Sequence, residues 1–139
     1  MTSDEFFGKC QRNYDIIFVD GLHEHNQVYK DVVNGLNHLN KGGVIVMHDC
    51  HPPNEWRQRK LVEWHNEGWN GDCWKAFVKA RATLPYEMWV WDDDEGCGVI
   101  DTNVMRKGQI TLPTDMEQMT WKDFVSHPEW FDFRRRLPF

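Results

Sequence analysis

The feature that most constrains the fold of this chain is a pair of short apolar runs on either side of one amphipathic segment. Residues 14–20 form a nearly continuous apolar run that ends in an acid, as buried parallel strands often do. Residues 23–39 carry apolar side chains at three- and four-residue spacing, which predicts a helix. Gly42 and Gly43 are expected to stop that helix, and residues 44–47 form the second apolar run. Strand, helix and strand make a βαβ unit, which is right-handed in nearly all proteins and leaves its strands parallel.

More helices are predicted after this unit. Residues 54–67 predict a helix with Asn54 as its cap, and residues 73–84 predict another with Asp72 as its cap. Two helix-start signals within residues 120–129 predict two short helices near the end of the chain. We expect the aromatic side chains of these last helices to pack on the body of the protein or on a partner subunit.

Two strands joined by an acidic turn are predicted between the helices. Residues 87–91 and 98–101 read as strands, and the turn-forming cluster at 92–96 makes them an antiparallel hairpin. The acidic cluster offers oxygen ligands to a hard cation, but it lacks the ligand spacing of a calcium loop. A solvated hairpin tip is therefore the favoured interpretation.

Length and composition indicate one globular domain. The 139 residues fit a single domain over residues 1–139, with a core in 14–102 and a helical, tryptophan-rich tail in 103–139. The net charge of −6 argues against nucleic acid as a partner, because phosphate binding needs a basic face. No apolar run approaches the ~18 residues of a membrane span, and the acidic amino terminus does not resemble a signal peptide. The four cysteines form no CxxC pair, which predicts free thiols in a cytoplasmic protein.

Two stretches of the chain together resemble a known superfamily. Residues 14–23 read Tyr-Asp-Ile-Ile-Phe-Val-Asp-Gly-Leu-His, and residues 40–50 read Asn-Lys-Gly-Gly-Val-Ile-Val-Met-His-Asp-Cys. These stretches resemble the S-adenosylmethionine-dependent methyltransferases, in the branch with Asp-Gly-x-His and His-Asp strand ends. Residues 69–75 and 96–100 are similar to later segments of that branch. The resemblance implies a partial Rossmann-like, three-layer α/β fold of about four strands. Two would be parallel and two would form an antiparallel hairpin, in the order one, two, four, three.

The resemblance covers only the carboxy-terminal half of such a fold. The glycine-rich loop and the acid that grip S-adenosylmethionine in that family belong to its first two strands, and no GxGxxG motif occurs in this chain. The matching sequence begins just before the family's fourth strand. The outer edge of strand 16–19 is therefore expected to be apolar and exposed. Such an edge readily pairs with another chain, so we expect a homodimer or a partner chain to cover it.

Polar residues follow both parallel strands and predict a site there. Asp20 and His23 follow the first strand, and His48 and Asp49 follow the second. Ligands bind beyond the carboxyl ends of strands in open α/β sheets. Asp20 and Asp49 could hold Mg²⁺, Mn²⁺ or Zn²⁺, with His23, His48 or His51 completing the set of ligands. Without metal, His23 or His48 could act as a general base on a hydroxyl.

Other roles compete for these side chains. Asp20 could cap the first helix, and His48 or Asp49 could cap the turn that precedes Pro52. Lys75 is expected to orient an acidic group of a substrate. The remaining histidines are expected at the surface: His25, His38, His65 and His127.

Three functions remain open on the sequence alone. The first is methyltransferase-like O-methyl transfer, with or without metal, from S-adenosylmethionine to a small-molecule or sugar hydroxyl. The second is a catalytically silent domain that mediates self-association through its tryptophan-rich tail. The third is a small metal-dependent hydrolase built on the aspartate and histidine cluster.

Overall fold

A computed structural model describes residues 1–60, 68–108, 111–113 and 115–135. The elements follow in chain order: α1 (Ser3–Lys9), β1 (Tyr14–Val19), α2 (His25–Leu36), β2 (Leu39–Met47), α3 (Cys73–Thr83), β3 (Tyr86–Trp91), β4 (Cys97–Met105), α4 (Trp121–Ser126), a 3₁₀ turn (Pro128–Trp130) and β5 (Phe133–Arg134). None of the described helices combines the length and the apolar character that crossing a bilayer requires.

The strands form one mixed sheet in the order β1-β2-β4-β3-β5. β1 and β2 are parallel, whereas β4 runs antiparallel to both β2 and β3. The predicted parallel pair, the predicted hairpin and the order of the first four strands are all confirmed. β5, which pairs in parallel with β3, was not predicted because a strand of two residues carries no readable pattern. The chain is thus a mixed α/β protein with flanking helices, consistent with a partial Rossmann-like methyltransferase fold.

One face of the sheet carries the core. Ile45 pairs with Ile100, and Met47 pairs with Gly98, so these side chains share a face. A Cβ on Gly35 of α2 would touch Ile45, and a Cβ on Gly98 would come within 2.6 Å of the Phe77 ring of α3. Helices α2 and α3 therefore pack on the same face.

The opposite face of the sheet is open. Ile16 and Phe18 are 68% and 57% exposed, so β1 is not the buried strand that its apolar run indicated but the exposed apolar edge strand that the resemblance implied. Ile16, Val46 and Trp89 help to line a groove of about 720 Å³ on this face. The described helices thus form one layer on one side of the sheet. They do not form the third layer that was expected on the other side.

The helix predicted for residues 54–67 is not present in its described part. Residues 54–60 form turns instead, and residues 61–67 lie outside the described residues. Asn54 makes the hydrogen bond expected of a cap, since its Oδ1 accepts the backbone N–H of Arg57 at 3.0 Å, but residues 55–60 continue as a turn and not as a helix. The carbonyl oxygen of Arg57, however, accepts the N–H groups of Asn70 and Gly71. In a helix this carbonyl would accept the N–H group four residues further along the chain. Here a distant loop occupies it instead.

The boundary between α2 and β2 differs from the prediction. α2 ends at Leu36, and β2 already begins at Leu39, so Gly42 and Gly43 lie inside the strand. The register of β1 against β2 shifts at this point. Gly42 has φ +79°, and a Cβ on it would lie 2.3 Å from Asn103 Oδ1. The glycines thus permit an irregularity in the strand rather than ending the helix.

The two ends of the chain also pack on this body. α1 was not predicted as a helix, although Thr2 and Glu5 form a capping box that the Thr-x-x-Glu pattern signals. In the tail, Thr120 and Asp123 form a second capping box at the start of α4, as predicted. Phe124 and Phe131 are buried in the same core as α3, which confirms that the tail packs on the body.

Candidate functional site

The ends of β1 and β2 bring the predicted polar residues together. Asp20 follows β1 directly, and His48 and Asp49 follow β2. The backbone N–H of His48 donates to the carbonyl oxygen of Val19 at 3.0 Å, which extends the pairing of the two strands to their carboxyl ends. The sequence could predict this convergence because neighbouring parallel strands end at the same edge of a sheet.

Three of these side chains face one another closely. His23 Nε2 lies 3.5 Å from Asp20 Oδ1 and 3.2 Å from Asp49 Oδ2. One ligand atom from each of the three residues lies within 4.8 Å of the others. Asp20 makes these contacts instead of capping α2, whose first turn has no side-chain cap from Glu24.

The tautomer of His23 gives this trio its chemical character. His23 Nδ1 lies 2.9 Å from the carbonyl oxygen of Trp69, which can only accept, so Nδ1 carries a proton. In the neutral ring, Nε2 then presents a lone pair to two carboxylates. Three electron-rich atoms pointing at one another require a positive charge between them, either a proton on Nε2 or a bound cation. The arrangement is therefore suited to a divalent metal.

Asp49 is the buried member of the trio. It is 4% exposed and has φ +61°, a left-handed backbone conformation that is strained for a residue other than glycine. Burial raises the pKa of Asp49, and the neighbouring His23, His48 and Asn70 offset only part of that rise. Without added positive charge, this carboxylate is held in an unfavourable environment.

A network on the far side of Asp49 fixes its orientation. Asn70 donates its side-chain amide to Asp49 Oδ1 at 2.5 Å and to Glu95 Oε2 at 2.7 Å. Arg57 donates from Nε to Asn70 Oδ1 at 3.0 Å, which fixes which end of the amide is the donor. Arg57 also pairs with Glu95 at 3.1 Å. Sequence reasoning missed Asn70, Glu95 and Arg57, because their approach to Asp49 depends on long-range packing.

His48 lies between the trio and the hairpin tip. Its Nδ1 is 3.1 Å from Asp49 Oδ2 and 3.6 Å from Asp20 Oδ1, and its Nε2 is 3.4 Å from Asp94 Oδ2. Partial burial works against its charged form, but the surrounding carboxylates of Asp49, Asp20 and Asp94 outweigh burial and raise the pKa of His48. His48 therefore binds a proton more readily than a histidine in water.

A tight loop places Trp69 and Asn70 against the trio. The rings of Trp69 and His23 stack with centroids 5.2 Å apart. Gly71 has φ +61°, and a Cβ on it would lie 1.8 Å from the carbonyl oxygen of His23. Only glycine allows this close approach, so Gly71 is required for the loop to reach the site.

Two other predicted residues lie outside the trio. His51 Nδ1 bonds to Asp92 Oδ1 at 2.6 Å. Lys75 is buried at the start of α3, with its ammonium 3.8 Å from Asp72 Oδ2. The substrate-binding role of Lys75 remains a prediction.

The surface location predicted for His25 is wrong. His25 is buried because Asp72 accepts both its backbone N–H and its Nδ1, each at 2.8 Å. Asp72 lies at the N-cap position of α3 as predicted, but its side chain bonds to α2 rather than to its own helix. The hydrogen bonds from His25 outweigh burial and lower the pKa of Asp72.

A groove of about 410 Å³ opens beside Asp20. Phe6 and Phe7 of α1 line one side of it, and Phe18 and Val19 of β1 line the other. Its volume lies within the range of small-molecule sites in proteins. An acidic side chain at the end of an apolar groove is a suitable arrangement for a small ligand with an apolar body and a polar end.

Comparison with known proteins adds one finding to this geometry. Residues 1–50 of the 139 match the model of a family described as a methyltransferase domain. The same sequence matches no curated protein. The matched segment contains β1, α2 and β2, and with them Asp20, His23, His48 and Asp49. The segment that carries the candidate site is therefore similar to a methyltransferase domain.

Proposed function

We propose that this chain is a methyltransferase-like domain that binds a divalent cation through Asp20, His23 and Asp49 and uses it in O-methyl transfer to a small-molecule or sugar hydroxyl. The observation that carries the proposal is the meeting of two carboxylates with Nε2 of His23, whose Nδ1 is engaged by the carbonyl oxygen of Trp69. The methyltransferase similarity of residues 1–50 supports the reaction class.

The donor atoms fit a divalent cation. Carboxylate oxygens suit Mg²⁺ and Mn²⁺, and an imidazole nitrogen shifts the preference towards Mn²⁺ or Zn²⁺. Asp20 is 43% exposed at its side chain, so the site opens to solvent and leaves room for substrate oxygens. A divalent cation bound there would hold the oxygens of an acceptor and lower the pKa of its hydroxyl.

The fit to S-adenosylmethionine is incomplete. A glycine-rich loop and an acid for the ribose hydroxyls are the usual means of holding this cofactor, and this sequence contains no GxGxxG motif. The groove beside Asp20 has apolar walls from α1 and β1, and its acidic lining residues are Asp20 and Asp31. We therefore propose that this chain holds the acceptor and the cation.

The proposal includes a second polypeptide along β1. β1 is an outermost strand of the sheet, and its Ile16 and Phe18 are exposed. Exposed apolar strands at a sheet edge tend to pair with other strands. A homodimer or a partner chain that pairs there would also lie next to the groove beside Asp20, where it could complete a cofactor site.

A metal-free route would use a histidine as the base. His23 is poorly suited, because its Nε2 faces two carboxylates and its Nδ1 is engaged by Trp69. His48 is the better candidate, since Asp49 orients it and its pKa is raised. Activity that survives complete removal of divalent metal would favour this route.

Calorimetric titration of the purified chain with Mn²⁺ tests the cation site. We expect one Mn²⁺ to bind in the wild type and Asp20→Asn to weaken that binding by at least about tenfold, because it removes a direct ligand. Asp15→Asn, at the other end of β1, is the matched control and should bind Mn²⁺ like the wild type. Equal affinity in all three proteins would rule out the site.

Titration with S-adenosylhomocysteine, with and without Mn²⁺, tests the reaction class. Micromolar binding, equivalent to about −8 kcal/mol, is expected if the chain completes a cofactor site by self-association. If the chain alone does not bind, the same titration is repeated with the partner that covers β1. No binding in either case would favour a silent interaction domain.

A further inference from the structure

The two ring nitrogens of His48 face different sets of ligands. Nδ1 lies 3.1 Å from Asp49 and donates to its carboxylate, so in the neutral ring Nε2 presents a lone pair. That nitrogen lies 3.4 Å from Asp94 Oδ2. A ring nitrogen of His48, a carboxylate oxygen of Asp94 and the Sγ of Cys97 all lie within 4.8 Å of one another. This second trio shares no residue with Asp20, His23 and Asp49.

The hairpin tip is held in place over His48. Asp94, Glu95 and Gly96 have consecutive left-handed φ angles of 46°, 62° and 82°. The carbonyl oxygens of Glu95 and Gly96 accept the N–H groups of His51 and Cys50, both at 2.8 Å. The loop is thus bonded to the chain that follows β2, and the Asp94 carboxylate is directed towards His48 although Asp94 is 81% exposed at its side chain.

We infer that His48, Asp94 and Cys97 form a second cation site, which selects a thiophilic divalent ion such as Zn²⁺. One nitrogen, one oxygen and one sulfur donor make a set that Zn²⁺ binds well and that Mg²⁺ does not. The trio of Asp20, His23 and Asp49 has no sulfur, so the two sites differ in the metals they prefer. Three protein ligands leave a further position for water or a substrate atom.

Binding at this site has a defined proton balance. The Cys97 thiol loses its proton to solvent and becomes the metal-binding thiolate, and a protonated His48 likewise releases its Nε2 proton to solvent so that the lone pair can bind the ion. An occupied second site makes His48 a ligand, so His48 does not then act as a general base. The inference does not depend on methyl transfer, because it concerns only these three donors.

Cobalt titration of the reduced, full-length chain tests the site, because Co²⁺ bound to a thiolate gives charge-transfer absorption in the near ultraviolet. We expect this absorption to rise to saturation in the wild type and to be absent in Cys97→Ser. Cys10→Ser is the matched control, since Cys10 belongs to neither trio, and it should retain the band. No band in the wild type, or an equal band in Cys97→Ser, would overturn the inference.

Two aspartate variants separate this site from the proposed Mn²⁺ site. Asp94→Asn changes a side chain that is 81% exposed, and we expect it to weaken the cobalt–thiolate complex by at least about tenfold. Asp20→Asn should leave the cobalt–thiolate band in place while it weakens Mn²⁺ binding. Zn²⁺ should displace Co²⁺ and abolish the band, whereas Mg²⁺ should not. An unchanged affinity in Asp94→Asn would contradict the assignment of that ligand.

Discussion

Asn70 donates its side-chain amide to the carboxylate of Asp49 across 2.5 Å, and both side chains are buried. The same amide nitrogen also bonds to Glu95, and Arg57 holds the amide oxygen. One asparagine thus joins the end of β2, the hairpin tip and the turn after β2. Asp49 keeps its position in the candidate metal site through this link.

Replacing Asn70 should damage both stability and metal binding. Asn70→Ala leaves the buried Oδ1 of Asp49 without the Asn70 donor, which costs about 1–3 kcal/mol of unfolding free energy. Loss of an orienting partner should also weaken Mn²⁺ binding by about 10–100-fold. Urea denaturation and calorimetry measure the two effects. Asn26→Ala is the control, because the Asn26 amide donates to exposed Glu117 and not to Asp49. A fully stable Asn70→Ala with wild-type affinity would show that the network does not support the site.

Gly71 should tolerate no side chain. Gly71→Ala places a Cβ 1.8 Å from the His23 carbonyl oxygen and also forces alanine into a left-handed conformation. The conformational strain alone costs about 1–2 kcal/mol, and the steric overlap must displace His23 as well. We expect lower unfolding free energy and weaker Mn²⁺ binding, measured by urea denaturation and calorimetry.

Two other glycine positions distinguish the cost of a left-handed backbone from the cost of steric overlap. Gly108→Ala strains only the backbone conformation, because Gly108 has φ +80° and no atom lies within 4 Å of an added Cβ. Gly8→Ala carries neither and should be neutral or stabilising by up to about 1 kcal/mol in its helix. If Gly71→Ala costs no more than Gly108→Ala, the close approach to His23 does not matter for stability.

Stability at low pH should depend on Asp72. Its pKa is lowered in the folded protein, chiefly because hydrogen bonds from His25 outweigh its burial. A depressed folded pKa means that the unfolded state binds the proton more tightly. Asp72 therefore contributes stability above the usual aspartate pKa of about 4, and that contribution is lost as the pH falls through the lower folded value. Asp72→Asn should show a flatter fall in unfolding free energy below about pH 4, while an equally steep fall would exclude this role.

Self-association should depend on the edge of β1. Phe18→Lys places a charge on an exposed strand, and a charge at a sheet edge opposes pairing with another chain. If the chain forms a homodimer through β1, light scattering should show a dimer in the wild type and a monomer in Phe18→Lys. Val125→Lys is the control, because Val125 is similarly exposed at 59% but lies on α4. A wild type that stays monomeric at high concentration would contradict the homodimer, and a heterologous partner would then be sought.

The sequence could predict the parts of the structure that depend on local pattern or on parallel pairing. Asp20, His23, His48 and Asp49 were predicted to converge, because each follows one of two adjacent parallel strands. The capping box at Thr120 was also readable from four consecutive residues. These features need no knowledge of distant packing.

Long-range contacts explain what the sequence could not predict. Arg57 lies in a turn rather than a helix, because its carbonyl oxygen bonds to a loop that begins after residue 68. His25 is buried by Asp72, a residue 47 positions away. Asp72 correctly indicated the start of α3. The local sequence did not show that its side chain would bond to α2 instead.

The contact between His25 and Asp72 links the amino-terminal ends of α2 and α3. Asp72 stands at the first turn of α3, and its carboxylate also holds the first residue of α2. The two helices cannot separate at this end without breaking both of these hydrogen bonds. α2 and α3 should therefore open together as one cooperative unit, and the hydrogen-bonded amides of the two helices should report a common opening free energy in deuterium exchange.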